Sequence, residues 1–143
     1  MGESIEHMRL IGVMLDNLPD FITDNMKAFI QCDLPDSINK PPKILSEHRP
    51  DIYLDNNNIL FIGEAKTKND VLSRHSREQY DNYLKYCNMY AGNSYLSVIV
   101  PWDFLRSIKN YLKNIKIKQN LNFKKRTMFN SKTKSLSIPR GSF

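Results

Sequence analysis

The chain has 143 residues, 41% of them hydrophobic and 25% charged, and a net charge of +6. That is one domain's worth, enough to bury a core without staples, and no apolar run approaches the roughly 18 residues of a membrane span. Two cysteines, Cys32 and Cys87, far apart and without C-x-x-C spacing, exclude an iron–sulfur cluster within one chain and argue against a zinc site or a disulfide framework.

The opening M-G-E-S-I-E-H-M lacks a basic region followed by a long apolar stretch, so the expected compartment is the cytoplasm. From Ser4 to Leu18, Ile5, Met8, Leu10, Ile11, Leu15 and Leu18 recur close to helical spacing. Pro19-Asp20 breaks the pattern, and Asp20 is a candidate cap for a second helix through Gln31, burying Phe21, Ile22, Met26, Phe29 and Ile30. A loop with Pro35, Pro41 and Pro42 follows, with at most a short strand near Ile44-Leu45. Asp51 to Leu54 reads as a strand, D-N-N-N at 55–58 as a turn, and Ile59 to Lys66 as a second strand. Helical pattern resumes from Asp70 to Tyr90, capped by Asn69 or Asp70 and ended by Ala91-Gly92-Asn93. Ser94 to Val100 is apolar enough for a central strand, and Asp103 to Ile115 reads as a further helix. The order is α-α-β-β-α-β-α, an α/β layout with a small mixed sheet flanked by helices.

Charge is unevenly spread. Residues 1–103 carry 10 Lys/Arg against 15 Asp/Glu, whereas residues 104–143 carry 11 Lys/Arg and no acid. Residues 1–115 are read as the core, and 116–143 as a basic extension of the same domain holding one more strand or helix, or partly disordered. Such asymmetry suits a polyanionic partner or, more plainly, a solvated basic surface.

The stretch from Arg49, R-P-D-I-Y-L-D-N-N-N-I-L-F-I-G-E-A-K, carries the chemistry. With residues 55–58 as the hairpin loop, Leu54 faces Ile59 and Asp51 faces Ile62. Glu64 and Lys66 lie two and four residues further on, so all three share one face of the sheet. Two carboxylates and an amine so placed suit a divalent cation such as Mg²⁺ and a phosphate. An isolated E-x-K is ordinarily a solvated ion pair; the upstream P-D and the helix downstream set this one apart. There Val71, His75, Gln79, Tyr83 and Cys87 recur every four residues, and a glutamine within such a stripe needs a polar partner. Gly63, before Glu64, leaves room for close approach of a backbone or ligand.

On Asp51, Glu64 and Lys66 the chain resembles the PD-(D/E)XK nuclease superfamily. Gln79 and Tyr83 resemble the Q-x-x-x-Y motif of its RecB-like members, and L-S-R-H-S-R-E-Q resembles the corresponding helix of VRR-NUC nucleases. The resemblance spans about residues 47–87 and, more loosely, from Glu6. It implies a restriction-endonuclease-like core and Mg²⁺, with Mn²⁺ substituting, bound by Asp51 and Glu64. Lys66 would be the catalytic lysine, Gln79 would lie beside the metal, and Tyr83 would help to position nucleic acid. Glu6, with Glu3 as rival, is the match for a first-helix glutamate at the metal. His48 is placed to touch metal or phosphate, or is a surface histidine. Lys68, Arg74 and Arg77 are candidates for phosphate contacts, or ordinary exposed charges. The basic end, including Lys124, Lys125 and Arg126, would add to them. Trp102 and the tyrosines suit base stacking or, more often, core packing. No G-x-x-x-x-G-K-[ST] loop is present, so the chain reads as a stand-alone deoxyribonuclease, a homodimer or a subunit of a larger complex. A structure-selective resolvase and a non-catalytic DNA-binding subunit are the alternatives.

Overall fold

The computed structural model describes residues 4–118 and 126–131, the latter as backbone. Ser4 opens helix α1 (Ile5–Asp16), its side chain accepting from the His7 amide at 3.0 Å. Helix α2 is only Asp24–Lys27, shorter than the expected Asp20–Gln31, because Thr23 is the cap and accepts from Met26. Asp20 instead lies in a turn closed by Ile22 N–H to Pro19 O at 3.0 Å. Bonds from Phe29 to Met26 and from Ile30 to Lys27 then tighten the helix end, freeing Gln31–Cys32 to pair as strand β1. Ile22 is buried and Phe21 stacks on Tyr95 with centroids 4.2 Å apart. Phe29, expected inside, is 70% exposed.

Strands β2 (Ile52–Asp55) and β3 (Ile59–Ala65) form the hairpin. Its turn is built by side chains: Asp55 Oδ1 accepts from Asn57 N–H at 2.9 Å, and Asn56 Oδ1 from Asn58 and Ile59 N–H at 3.0 and 2.7 Å. Asn57 takes φ 75°, a left-handed conformation that asparagine tolerates well. The observed register pairs Leu54 with Phe61 and Ile52 with Gly63, two residues from the expected one. A shift of two leaves every side chain on its face.

Helix α3 (Arg74–Met89) starts later than expected, capped by Ser73, whose Oγ accepts from Ser76 N–H at 3.1 Å. Strand β4 (Asn93–Val100), a 3-10 turn at Trp102–Phe104, helix α4 (Leu105–Lys118) and strand β5 (Arg126–Ser131) follow among the described residues. The sheet runs β1-β2-β3-β4-β5. The β1–β2 and β2–β3 pairs are antiparallel and the β3–β4 and β4–β5 pairs parallel. The architecture is therefore α/β with a mixed sheet, as expected, with β1 and β5 as additional strands.

Alternation along the strands divides two cores. Leu10, Ile11 and Met14 of α1 pack on Ile52, Leu54, Phe61 and Ile99. On the other face Tyr80, Tyr83 and Leu84 of α3 and Ile108 and Leu112 of α4 meet Leu60, Ile62, Leu96 and Val98. Gly63 admits α1: a Cβ there would stand 2.5 Å from Met14 Sδ and 3.0 Å from Ile52 Cβ. The approach foreseen at this glycine is thus made by a side chain of α1. Gly63→Ala is expected to lower stability by about 1–3 kcal/mol through overpacking, measured by urea denaturation; an unchanged midpoint would show that Met14 swings aside without cost. Among the described residues, no helix is long and apolar enough to cross a membrane.

Candidate metal and catalytic site

The site forms where the α1 face and the α3 face meet at the carboxyl end of β3. Continuing the hairpin ladder by one residue sets Asp51 opposite Glu64. Asp51 is held at both ends. Its carbonyl accepts from Asp33 N–H at 2.8 Å, and its Oδ2 accepts from Ala65 N–H at 2.8 Å. The segment leading into it is clamped to α3 by Asn82, whose amide donates to Ile44 O at 3.1 Å and Glu47 Oε2 at 2.8 Å. That clamp holds a tight turn in which Leu45 and Ser46 adopt φ 50° and 62°.

Glu64, Lys66 and Gln79 join Asp51 in a cluster only 3–7% exposed. Lys66 Nζ lies 3.3 Å from Glu64 Oε2 and donates to Gln79 Oε1. Tyr83 donates to Glu64 Oε1 at 2.9 Å. The glutamine in the α3 stripe thus has the polar partner that it needed, and strand parity brings the three charged groups together as expected.

Burial is the chief reason that the Glu64 carboxyl is pushed up, to about 8, with Asp51 adding to it; Lys66 and the Tyr83 hydroxyl pull the other way. Burial and the same carboxylate raise the Tyr83 hydroxyl, keeping it a donor. A divalent cation beside Glu64 would offset the cost of charging it in so dry a site.

The residue of α1 that joins the cluster is His7 and not Glu6, the expected match. Glu6 pairs with Arg9 at 3.2 Å, and its neighbour His7 enters the cluster. His7 Nε2 stands 3.1 Å from Asp51 Oδ2 and 3.0 Å from Ala65 O. Since Ala65 O only accepts, that contact needs a proton on Nε2, which this nitrogen would give up to ligate a cation. His7, Asp51 and Glu64 each bring one ligand atom within 4.8 Å of the others. A signal for His7 was present in the sequence: it lies three, four and seven residues before Leu10, Ile11 and Met14, on the buried stripe of α1.

Other expected positions lie elsewhere. Tyr83 is fully buried, with its hydroxyl on Glu64. Arg74 and Arg77 sit off the Gln79–Tyr83 stripe, lining a groove of about 590 Å³ with Tyr111 of α4, and Arg74 pairs with Glu78 at 3.3 Å. They are therefore not at the carboxylates. His48 packs edge-on against His75, ring centroids 5.3 Å apart, and is not among the clustered ligands. Lys68 lines a polar hollow beside the site. Lys124, Lys125 and the Arg126 side chain lie outside the described residues.

No protein-family model matches the chain, and no curated protein or solved structure matches it either. The geometry therefore carries the functional argument. A buried pair of carboxylates, an imidazole and an amine held by a neutral acceptor can bind a divalent cation and polarise an anionic ester beside it.

Proposed function

We propose that the chain is a metal-dependent nuclease hydrolysing DNA phosphodiester bonds on a restriction-endonuclease-like core. The observation that supports this most is the convergence of Asp51, Glu64, Lys66, Gln79 and Tyr83, drawn from the open end of the hairpin and from α3, in one buried cluster. Residues spread from position 51 to position 83 have little reason to bring charged groups together in a core unless the meeting is used.

Asp51, Glu64 and His7 fit a divalent cation. Bound there, the cation supplies acidification of water and neutralisation of phosphate charge. Asp51 keeps its orientation through Ala65 N–H, and Tyr83 orients Glu64. Gln79 Oε1 accepts from the Lys66 ammonium, which leaves its other protons to donate to the phosphate or the attacking water. The imidazole distinguishes between cations. Mg²⁺ prefers an all-oxygen shell, whereas a mixed nitrogen and oxygen set favours Mn²⁺.

The decisive experiment is cleavage of linear, branched and single-stranded DNA in Mg²⁺, Mn²⁺ or EDTA. Cutting is expected with Mn²⁺ and, more weakly, Mg²⁺, and none in EDTA. Binding without cleavage under every condition would refute the nuclease and leave a binding subunit. As a separate expectation, His7→Ala should narrow the difference between Mn²⁺ and Mg²⁺ in a thermal-shift titration; an unaltered preference would exclude His7 as a ligand.

A further inference from the structure

We propose that the hollow beside the carboxylates is a base subsite, which takes one unpaired nucleobase of the cut strand and stacks it on Trp102. The inference rests on the nuclease reading above. The hollow has a volume of about 300 Å³ and is lined by Glu6, Thr67, Lys68, Asn69, Trp102 and Asp103 among others. Glu6 directly precedes His7 and Thr67 directly follows Lys66, so two of its walls continue from the candidate site. It opens where β3 and β4 end, the place where α/β sheets present loops to ligands.

Trp102 is 64% exposed, an unusual cost for the largest apolar side chain. Its backbone is fixed where it leaves the strand. Pro101 fixes the entry, and Phe104 N–H bonds back to Pro101 O at 2.9 Å. Phe104, two residues on, packs against the core, which anchors the turn while Trp102 remains outside. A pre-set aromatic face of this kind binds a base with little ordering cost, and stacking is tolerant of sequence.

The polar lining decides between base and phosphate. Glu6 and Asp103 repel an anion, whereas Lys68 is the single cation among the lining residues. A neutral heterocycle suits the walls better. Asp103 accepts from an exocyclic amine, as carboxylates do from cytosine N4, while Asn69 and Thr67 offer both donors and acceptors. Lys68 then serves the phosphate next to the seated base. A base paired within a duplex has its edge occupied and its faces stacked, so the occupant comes from single-stranded, frayed or branched DNA.

Trp102 is the chain's only tryptophan, so the emission of the whole protein reports on this position alone. Short single-stranded oligonucleotides, all dC or all dT, titrated into the full chain in EDTA are expected to quench it, dC more tightly than dT, and a blunt duplex much less. Trp102→Ala should raise KM for single-stranded substrate about tenfold, the effect of one lost stack, with a smaller change in kcat, and Trp102→Phe should recover most of it. Unmoved emission while anisotropy reports binding, or an unchanged KM in Trp102→Ala, would overturn the subsite and leave the nuclease intact. Absence of metal-dependent cutting by the wild-type chain would overturn the nuclease instead, and quenching in EDTA would then decide the subsite by itself.

Discussion

Replacing Lys66 by alanine is expected to slow cleavage by about 10²–10³-fold or more in kcat, the usual cost of removing one positioned donor at developing charge, while DNA binding stays close to wild type. Lys66 is 7% exposed, and its ammonium lies 3.3 Å from Glu64 and is hydrogen-bonded to Gln79. Away from bulk water, a cation acts on a neighbouring phosphate far more strongly than it would at the surface. It is one charge among the many that hold a nucleic acid, so affinity depends on it little. Truncation also strips a buried carboxylate of its partner. Lys66→Met, which keeps the volume of the stem, therefore accompanies the alanine variant, and circular dichroism establishes that each is folded. Single-turnover cleavage in Mn²⁺ and anisotropy in EDTA separate the two quantities. Full activity in either folded variant would remove Lys66 from the mechanism. Parallel loss of binding and cleavage would make it a phosphate anchor instead.

The second large effect concerns Glu64 and pH. Its carboxyl is raised in the folded protein from 4.5 to about 8, so folding favours the protonated form. The stability that this lends is complete below the unfolded value and is lost as pH climbs through the folded one. Metal-free protein should therefore melt at falling temperature from about pH 5 to pH 8, and the Glu64→Gln variant should lack that part of the slope. A cation displaces the proton, so its stabilising effect grows over the same interval. At 100 times its dissociation constant the gain is about 2.7 kcal/mol, roughly 5–11 °C for a chain of this size. Differential scanning fluorimetry of both proteins, with and without Mn²⁺, tests this. Identical pH slopes for wild type and Glu64→Gln would show that Glu64 does not govern the transition.

The hairpin was legible because its information is a parity. The turn closes two residues from the expected place, yet a period of two forgives a shift of two, and Asp51, Glu64 and Lys66 still converge. The α3 stripe was legible for the same reason, since spacing of four tells which residues share a side. It does not tell depth: Tyr83 lies beneath Glu64, buried, where a surface role was expected. On α1, attention to acids led to Glu6, although the apolar stripe already ran through His7. The second helix failed because Asp20 and Thr23 are both good caps, and only the tertiary demand for β1 selects the later one. Strand β5 has no strong local signal, its lysine- and asparagine-rich surroundings leaving strand, helix or disorder open, and it forms by pairing with β4. Trp102 could not be assigned from composition, because exposure depends on how the 3-10 turn leaves the strand.

The bond from Ala65 N–H to Asp51 Oδ2 makes one carboxylate the last rung of the hairpin as well as a member of the candidate metal cluster. Opening of the strand end and disassembly of the site are then a single event. The exchange rate of one backbone proton, that of Ala65, becomes a clock for how often the site falls apart.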